Sequence, residues 1–262
     1  MLKLRGFLST ALFFLVLSSS ASAITWVPED FVCPVDNEKN TFLVVASYGS
    51  YIYSYPSKYQ WLFFPVTDSP TYYLCKKCHL ATYMWDFKEL PKDKIVAIRA
   101  TLKSITAPKP FEKYTEVSVV ERLAIIEKVY TQLGKDEEWW ERFYRTQGYH
   151  LAKAGEQEKA AVARKKSLEL VKKFLKDEKN ETSKKLLLYI SGAMNHFIGD
   201  DKAAILDFEA AQKTIFAEKG TSEDDLKAGE AGLNERIKDY LALIKTPGKE
   251  PRQSDSKSSG DH

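Results

Sequence analysis

At 262 residues, with 44% hydrophobic and 29% charged side chains, the chain is long enough for one large or two small domains with real cores. Its net charge is only +3, with both signs interspersed, which removes the electrostatic case for a nucleic-acid partner. Beyond the first 23 residues, no stretch approaches the ~20 apolar residues of a membrane span.

Residues 1–23 have the three zones of a secretory signal. Lys3 and Arg5 form a positive end, and Phe7 to Leu17 is apolar apart from Ser9 and Thr10. Ala21-Ser22-Ala23 then supplies the small-x-small pattern of a cleavage site. Cleavage after Ala23 is expected, with the mature chain extracytoplasmic (periplasmic or secreted) and its charge reduced to +1 by loss of Lys3 and Arg5. The alternative is an uncleaved anchor.

Residues 24–90 read as a β-rich, cysteine-bearing module. Thr41 to Val45 is strand-like. Trp61 to Phe64 and Thr71 to Leu74 are short apolar runs bounded by Pro65 and Pro70, and helical periodicity is absent. Residues 91–117 carry a short helix over Asp93 to Lys103, followed by a linker at Ala107 to Pro110.

From 118 to 245 the texture is helical. Ser118 and Glu121 form a capping-box signature, and the apolar spacing after it stops at Gly134. Further helices are predicted over about 137–154, 156–176, 182–198, 201–218 and 224–245. The tail 246–262, which has no apolar residue after Pro247, is expected to be disordered.

Two helical hairpins superpose in sequence. Gly148, Gly155 and Ala160 recur 44 residues later as Gly192, Gly199 and Ala204. A small residue in the first helix permits close approach, the second glycine turns the chain, and the alanine sits at the crossing. This spacing resembles the tetratricopeptide repeat, with Arg164 where an aromatic is usual and Asn195 where a large apolar residue is usual. Such hairpins form a groove for a protein or peptide partner. Trp139, Trp140 and Asn195 are the candidate contacts, core packing being the competing role for the tryptophans.

The cysteines are Cys33, Cys75 and Cys78. Cys33-Pro34-Val35-Asp36 and Cys75-Lys76-Lys77-Cys78 look like two zinc-ribbon knuckles, the first with a carboxylate in place of a thiolate. Cys33, Cys75 and Cys78 with Asp36 or His79 would hold a structural zinc ion. A structural disulfide and a thiol–disulfide active pair at Cys75 and Cys78 are the alternatives. Cys33-Pro34, the Pro70 to Cys75 stretch and Cys78 together resemble an uncharacterised bacterial domain family. The resemblance implies a zinc-ribbon-like front and a helical-repeat back, and no activity.

The fold class is therefore α+β, a small β-rich zinc-ribbon-like module followed by an all-α tetratricopeptide-like domain. The four histidines lie in no catalytic motif, and there is no phosphate loop or nucleophile elbow. The expected function is a non-enzymatic exported adaptor, with an extracytoplasmic thiol–disulfide or metal-handling factor as the alternative.

Overall fold

The computed structural model describes residues 24–49, 53, 55–178, 180–217 and 220–246. The expected signal sequence and nearly all of the tail lie outside the described residues. Among the described residues the chain is mixed α+β, with two small antiparallel sheets followed by seven α-helices.

Strands β1 (Ile24–Val32) and β2 (Lys39–Tyr48) form one hairpin, and β3 (Tyr72–Leu74) and β4 (Ala81–Tyr83) form the other. The charged and proline-bearing stretch of β1 gives little strand signal. Pro28 is tolerated because its partner Leu43 turns its backbone groups elsewhere. The Leu43 N–H donates to Tyr114 Oη at 3.3 Å, and its carbonyl accepts from Tyr73 Oη at 2.9 Å. Beneath the hairpins lie Phe31, Phe42, Tyr73 and Phe87, with Phe42 and Tyr73 stacked at 4.1 Å.

The helices are α1 (Ile95–Ser104), α2 (Val119–Leu133), α3 (Glu137–Lys153), α4 (Gln157–Phe174), α5 (Lys184–Phe197), α6 (Asp201–Lys213) and α7 (Glu223–Lys245). The capping box at Ser118 is formed on both sides, and Gly134 ends α2 in the left-handed conformation. Helix α6 stops five residues before its predicted end. There Thr214 turns extended, its carbonyl takes the buried Lys185 ammonium at 2.9 Å, and Phe216 packs down on Gly229.

The two glycine hairpins behave alike. A Cβ at Gly148 would sit 2.8 Å from Arg164 Cγ, and one at Gly192 would sit 2.7 Å from the Phe208 ring. Gly155 and Gly199 both adopt positive φ, at 83° and 89°. Arg164 stands 44 residues before Phe208 and is equally buried. Its guanidinium lies 4.7 Å from the Phe197 ring and bonds Gln60 Oε1 and the Phe197 carbonyl, both at 3.2 Å.

The core does not divide at residue 90. One apolar cluster runs from Phe31 through both hairpins, α1 and α2 to Phe143 on α3. A second gathers α4 to α7 around Tyr59, which comes from the front of the chain. The run Trp61 to Phe64, read above as part of a β-rich module, forms turns. Its backbone groups bond within turns, to Tyr53 Oη and, at the Trp61 carbonyl, to Arg145 of α3, and among the described residues no strand pairs with it.

Candidate metal centre

Each hairpin of the front ends in a tight turn, and the two turns have the same construction. In the first, Cys33 N–H donates to the Glu38 carbonyl and Asn37 N–H donates to the Cys33 carbonyl, both at 2.9 Å. In the second, Cys75 N–H donates to the Leu80 carbonyl at 2.9 Å, and His79 N–H to the Cys75 carbonyl at 3.1 Å. Asn37 and His79 occupy the same place in the two turns, and both have φ of 60°. Asn and His are among the residues that tolerate this left-handed region.

Equal turns bring equal positions together. Cys33, Asp36, Cys75 and Cys78 offer four ligand atoms within 4.8 Å of one another. Cys33 Sγ lies 3.6 Å from Cys78 Sγ, and Cys75 Sγ lies 3.8 Å from each Asp36 oxygen. A tetrahedral ion with sulfur at ~2.3 Å and oxygen at ~2.0 Å would need ligand atoms about 3.5–3.8 Å apart. The set therefore could bind a metal ion, and the three cysteines are free thiols.

Several contacts aim these ligands. Asn40, buried on β2, donates to Cys75 Sγ at 3.5 Å and to the Glu38 carbonyl at 3.0 Å. Its Oδ1 accepts from Lys76 N–H at 2.9 Å, so one amide ties the two turns. Arg99 on α1 holds the Val35 carbonyl at 2.6 Å, and Glu38 pairs with Lys76 at 3.3 Å across the turns. Asp36 accepts from Glu38 N–H at 3.0 Å, which fixes its carboxylate. Asn40 could have been suspected only as a polar residue opening a strand.

The thiols share their protons unevenly. Hydrogen bonds from Cys33 and then Cys78 hold the Cys75 thiol down to about 2, as a thiolate. The bond to Cys75 pushes Cys33 up to about 12, and the bonds to Cys33 and Cys75 push Cys78 upward as well. Cys33 and Cys75 are buried, while Cys78 is partly exposed.

His79, the other candidate fourth ligand, is not brought into this group. The turn places its ring 6.4 Å from Phe111. Of the candidate partner contacts, Trp139 stacks between Tyr130 at 4.6 Å and Phe143 at 5.2 Å, and Trp140 stacks on Tyr144 at 5.5 Å. Both are half-buried. Asn195 is buried, and its amide donates to Asp207 at 2.8 Å, so it has no free face to offer.

The face shared by α3, α5 and α7 holds the protein's own residues 59–61. Arg145 donates to the carbonyls of Gln60 at 3.0 Å and Trp61 at 2.8 Å, and Tyr189 Oη donates to the Tyr59 carbonyl at 2.9 Å. Tyr59 Oη reaches Asp239 at 3.2 Å, and the Arg236 guanidinium lies 4.2 Å from the Trp61 ring. Arg145 and Tyr189 are 44 residues apart, matching positions of the two hairpins. Among the described residues no helix is long and apolar enough to cross a membrane. No family model, no curated protein and no solved structure matches the chain.

Proposed function

We propose that the chain is an exported, non-enzymatic scaffold whose front is stapled by a structural zinc ion. Cys33, Asp36, Cys75 and Cys78 would hold the ion, and the tetratricopeptide-like hairpins behind them would receive a protein or peptide partner. The observation that carries the metal half is the pair of like-built turns, which present ligand atoms from corresponding positions within 4.8 Å of one another. All four positions would be filled by protein, as in a closed structural site. The partner half is supported by how the helices grip residues 59–61. They hold a 3-10 turn of the chain by its backbone carbonyls, through Arg145 and Tyr189 at repeat-equivalent positions.

A thiol-exchange role is less well supported. The attacking thiol of such a site is both activated and accessible. Here the activated Cys75 is buried, and the more accessible Cys78 is pushed the other way.

Native and denatured mass measurement of the mature protein, with thiol alkylation, tests the proposal. One zinc-sized increment in the native state and three alkylatable thiols after denaturation are expected. One alkylatable thiol with no increment would indicate a disulfide and end the zinc reading.

A further inference from the structure

Where the front hairpins meet α3, the surface opens into a cavity of about 470 Å³, within the ~300–1,000 Å³ range of small-molecule sites. It is separate from the cysteine cluster. Its wall is aromatic: Trp61 and Phe63 from the docked segment, Tyr83 and Trp85 from the end of β4, and Trp139 from α3. Tyr83 and Trp85 stack in parallel at 4.7 Å and 12°, and Tyr83 meets Trp139 edge-on at 6.1 Å. Trp85 is 49% exposed and has Tyr83 stacked on its ring.

Two arginines also line this cavity. Arg145 is spent, its guanidinium paired with Glu141 at 2.9 Å and holding the Gln60 and Trp61 carbonyls. Arg142, one turn along α3 from Trp139, is exposed. Among the described residues no hydrogen bond or ion pair engages it, including with Glu138 one turn back. The site thus combines the exposed ring of Trp85, in an aromatic wall, with one fork-shaped donor at its rim that makes no ion pair among the described residues. A guanidinium of this kind pairs a carboxylate bidentately, and flat aromatic walls favour a planar apolar body.

We propose that this cavity binds a planar apolar molecule bearing a single carboxylate, its ring against the exposed Trp85 and the edge of Trp139 and its carboxylate on Arg142. The site asks nothing of the metal centre.

The test uses the full mature chain and one ring with three charges: 2-naphthoate, 2-naphthamide and 2-naphthylmethylamine. Binding is followed by the side-chain indole N–H resonances of the five tryptophans, with Trp85 assigned by Trp85→Phe. The Trp85 signal should move on titration, with 2-naphthoate binding at least tenfold tighter than the amide and the amine weakest. Arg142→Gln should erase the anion preference and leave the amide's affinity unchanged, and Arg142→Lys should keep part of it. Trp85→Ala should weaken all three. An unmoved Trp85 signal at millimolar naphthoate, equal affinities for the three charges, or an anion preference that survives Arg142→Gln each overturns the proposal.

Discussion

The front of the molecule and its helical back each use one local motif twice, and in both the earlier copy departs from the later at one key position. In the front, Asp36 stands where the second turn has Cys78. In the back, Arg164 stands where the second hairpin has Phe208. The two departures are absorbed differently. At the turns the backbone is untouched, and the change falls wholly on ligand chemistry, a hard oxygen for a soft sulfur. At the hairpins the aliphatic stem keeps the packing that Gly148 requires. The buried guanidinium then needs partners, which Gln60 and the Phe197 carbonyl and ring supply. A motif can thus vary cheaply in chemistry where its geometry is set by backbone. Where geometry is set by side-chain packing, variation recruits residues from elsewhere in the chain.

The largest expected effect tests the equivalence of the two turns. Cys75→Ser removes the sulfur on which Cys33, Cys78 and Asn40 converge. It should abolish zinc uptake and, with zinc at a thousandfold over its Kd, forfeit about 4 kcal/mol of stability, read by chemical denaturation. Asp36→Cys makes the turns identical and should tighten zinc by at least tenfold in chelator competition. Weaker binding by that variant would show that the turns differ in more than one ligand.

The next effect concerns the joint between front and back. His150 on α3 lies 2.8 Å from the Val66 carbonyl and 3.1 Å from Tyr72 Oη on β3. Burial depresses its imidazole to about 4 from an ordinary 6.5. The unfolded chain therefore binds the proton more readily, and the stabilisation is complete above pH 6.5. It is lost as pH falls through the interval from 6.5 to 4 and amounts to on the order of 3 kcal/mol. A pH series of urea denaturation should show this slope in the natural chain, and His150→Gln should flatten it. An unchanged slope would assign the loss to carboxylates.

Smaller effects compare the two hairpins. Gly192→Ala drives a methyl into the Phe208 ring and should cost about 1–3 kcal/mol in urea denaturation. Gly148→Ala meets Arg164 Cγ and the Ala160 carbonyl and should cost about as much, because the Arg164 stem is held by its bonded guanidinium. A much smaller cost at Gly148 would mean that the Arg164 stem yields despite those bonds. Smallest is Asn40→Ala, which should lower zinc affinity about tenfold. That is the low end for an outer-shell residue, because its contact to Cys75 is long at 3.5 Å.

Much of this was readable residue by residue, and the failures have physical causes. The helices announced themselves through apolar spacing, and Ser118 with Glu121 and Gly134 fixed both ends of α2, because caps are local. Cys33, Asp36, Cys75 and Cys78 could be grouped from spacing alone. The choice between Asp36 and His79 depended on which residue takes the left-handed position of the turn. Asn37 and His79 sit one place after Asp36 and Cys78, a hint that was present in the sequence. Residues 61–64 misled because an apolar run between prolines suits a strand and a docked turn equally. The left-handed turn at Trp61 and its bond to Arg145, 84 residues later, decide between them. Asn195 misled because its partner Asp207 lies on the next helix, beyond any local pattern.

The Tyr59–Asp239 bond joins residues 180 positions apart, and Tyr189 meets the Tyr59 carbonyl across 130. A chain made from its N-terminus presents residues 59–61 long before α5 and α7 exist to receive them. The front turns can close early, since their contacts are short in sequence, whereas the docked segment must wait for the last helix. Contacts of such separation slow folding, because loop-closure entropy is spent before the contact repays it. Truncation before Asp239 would strip the Tyr59 ring of its Asp239 and Tyr240 partners while Arg145, Arg164 and Tyr189 still held the backbone of the segment and Gln60.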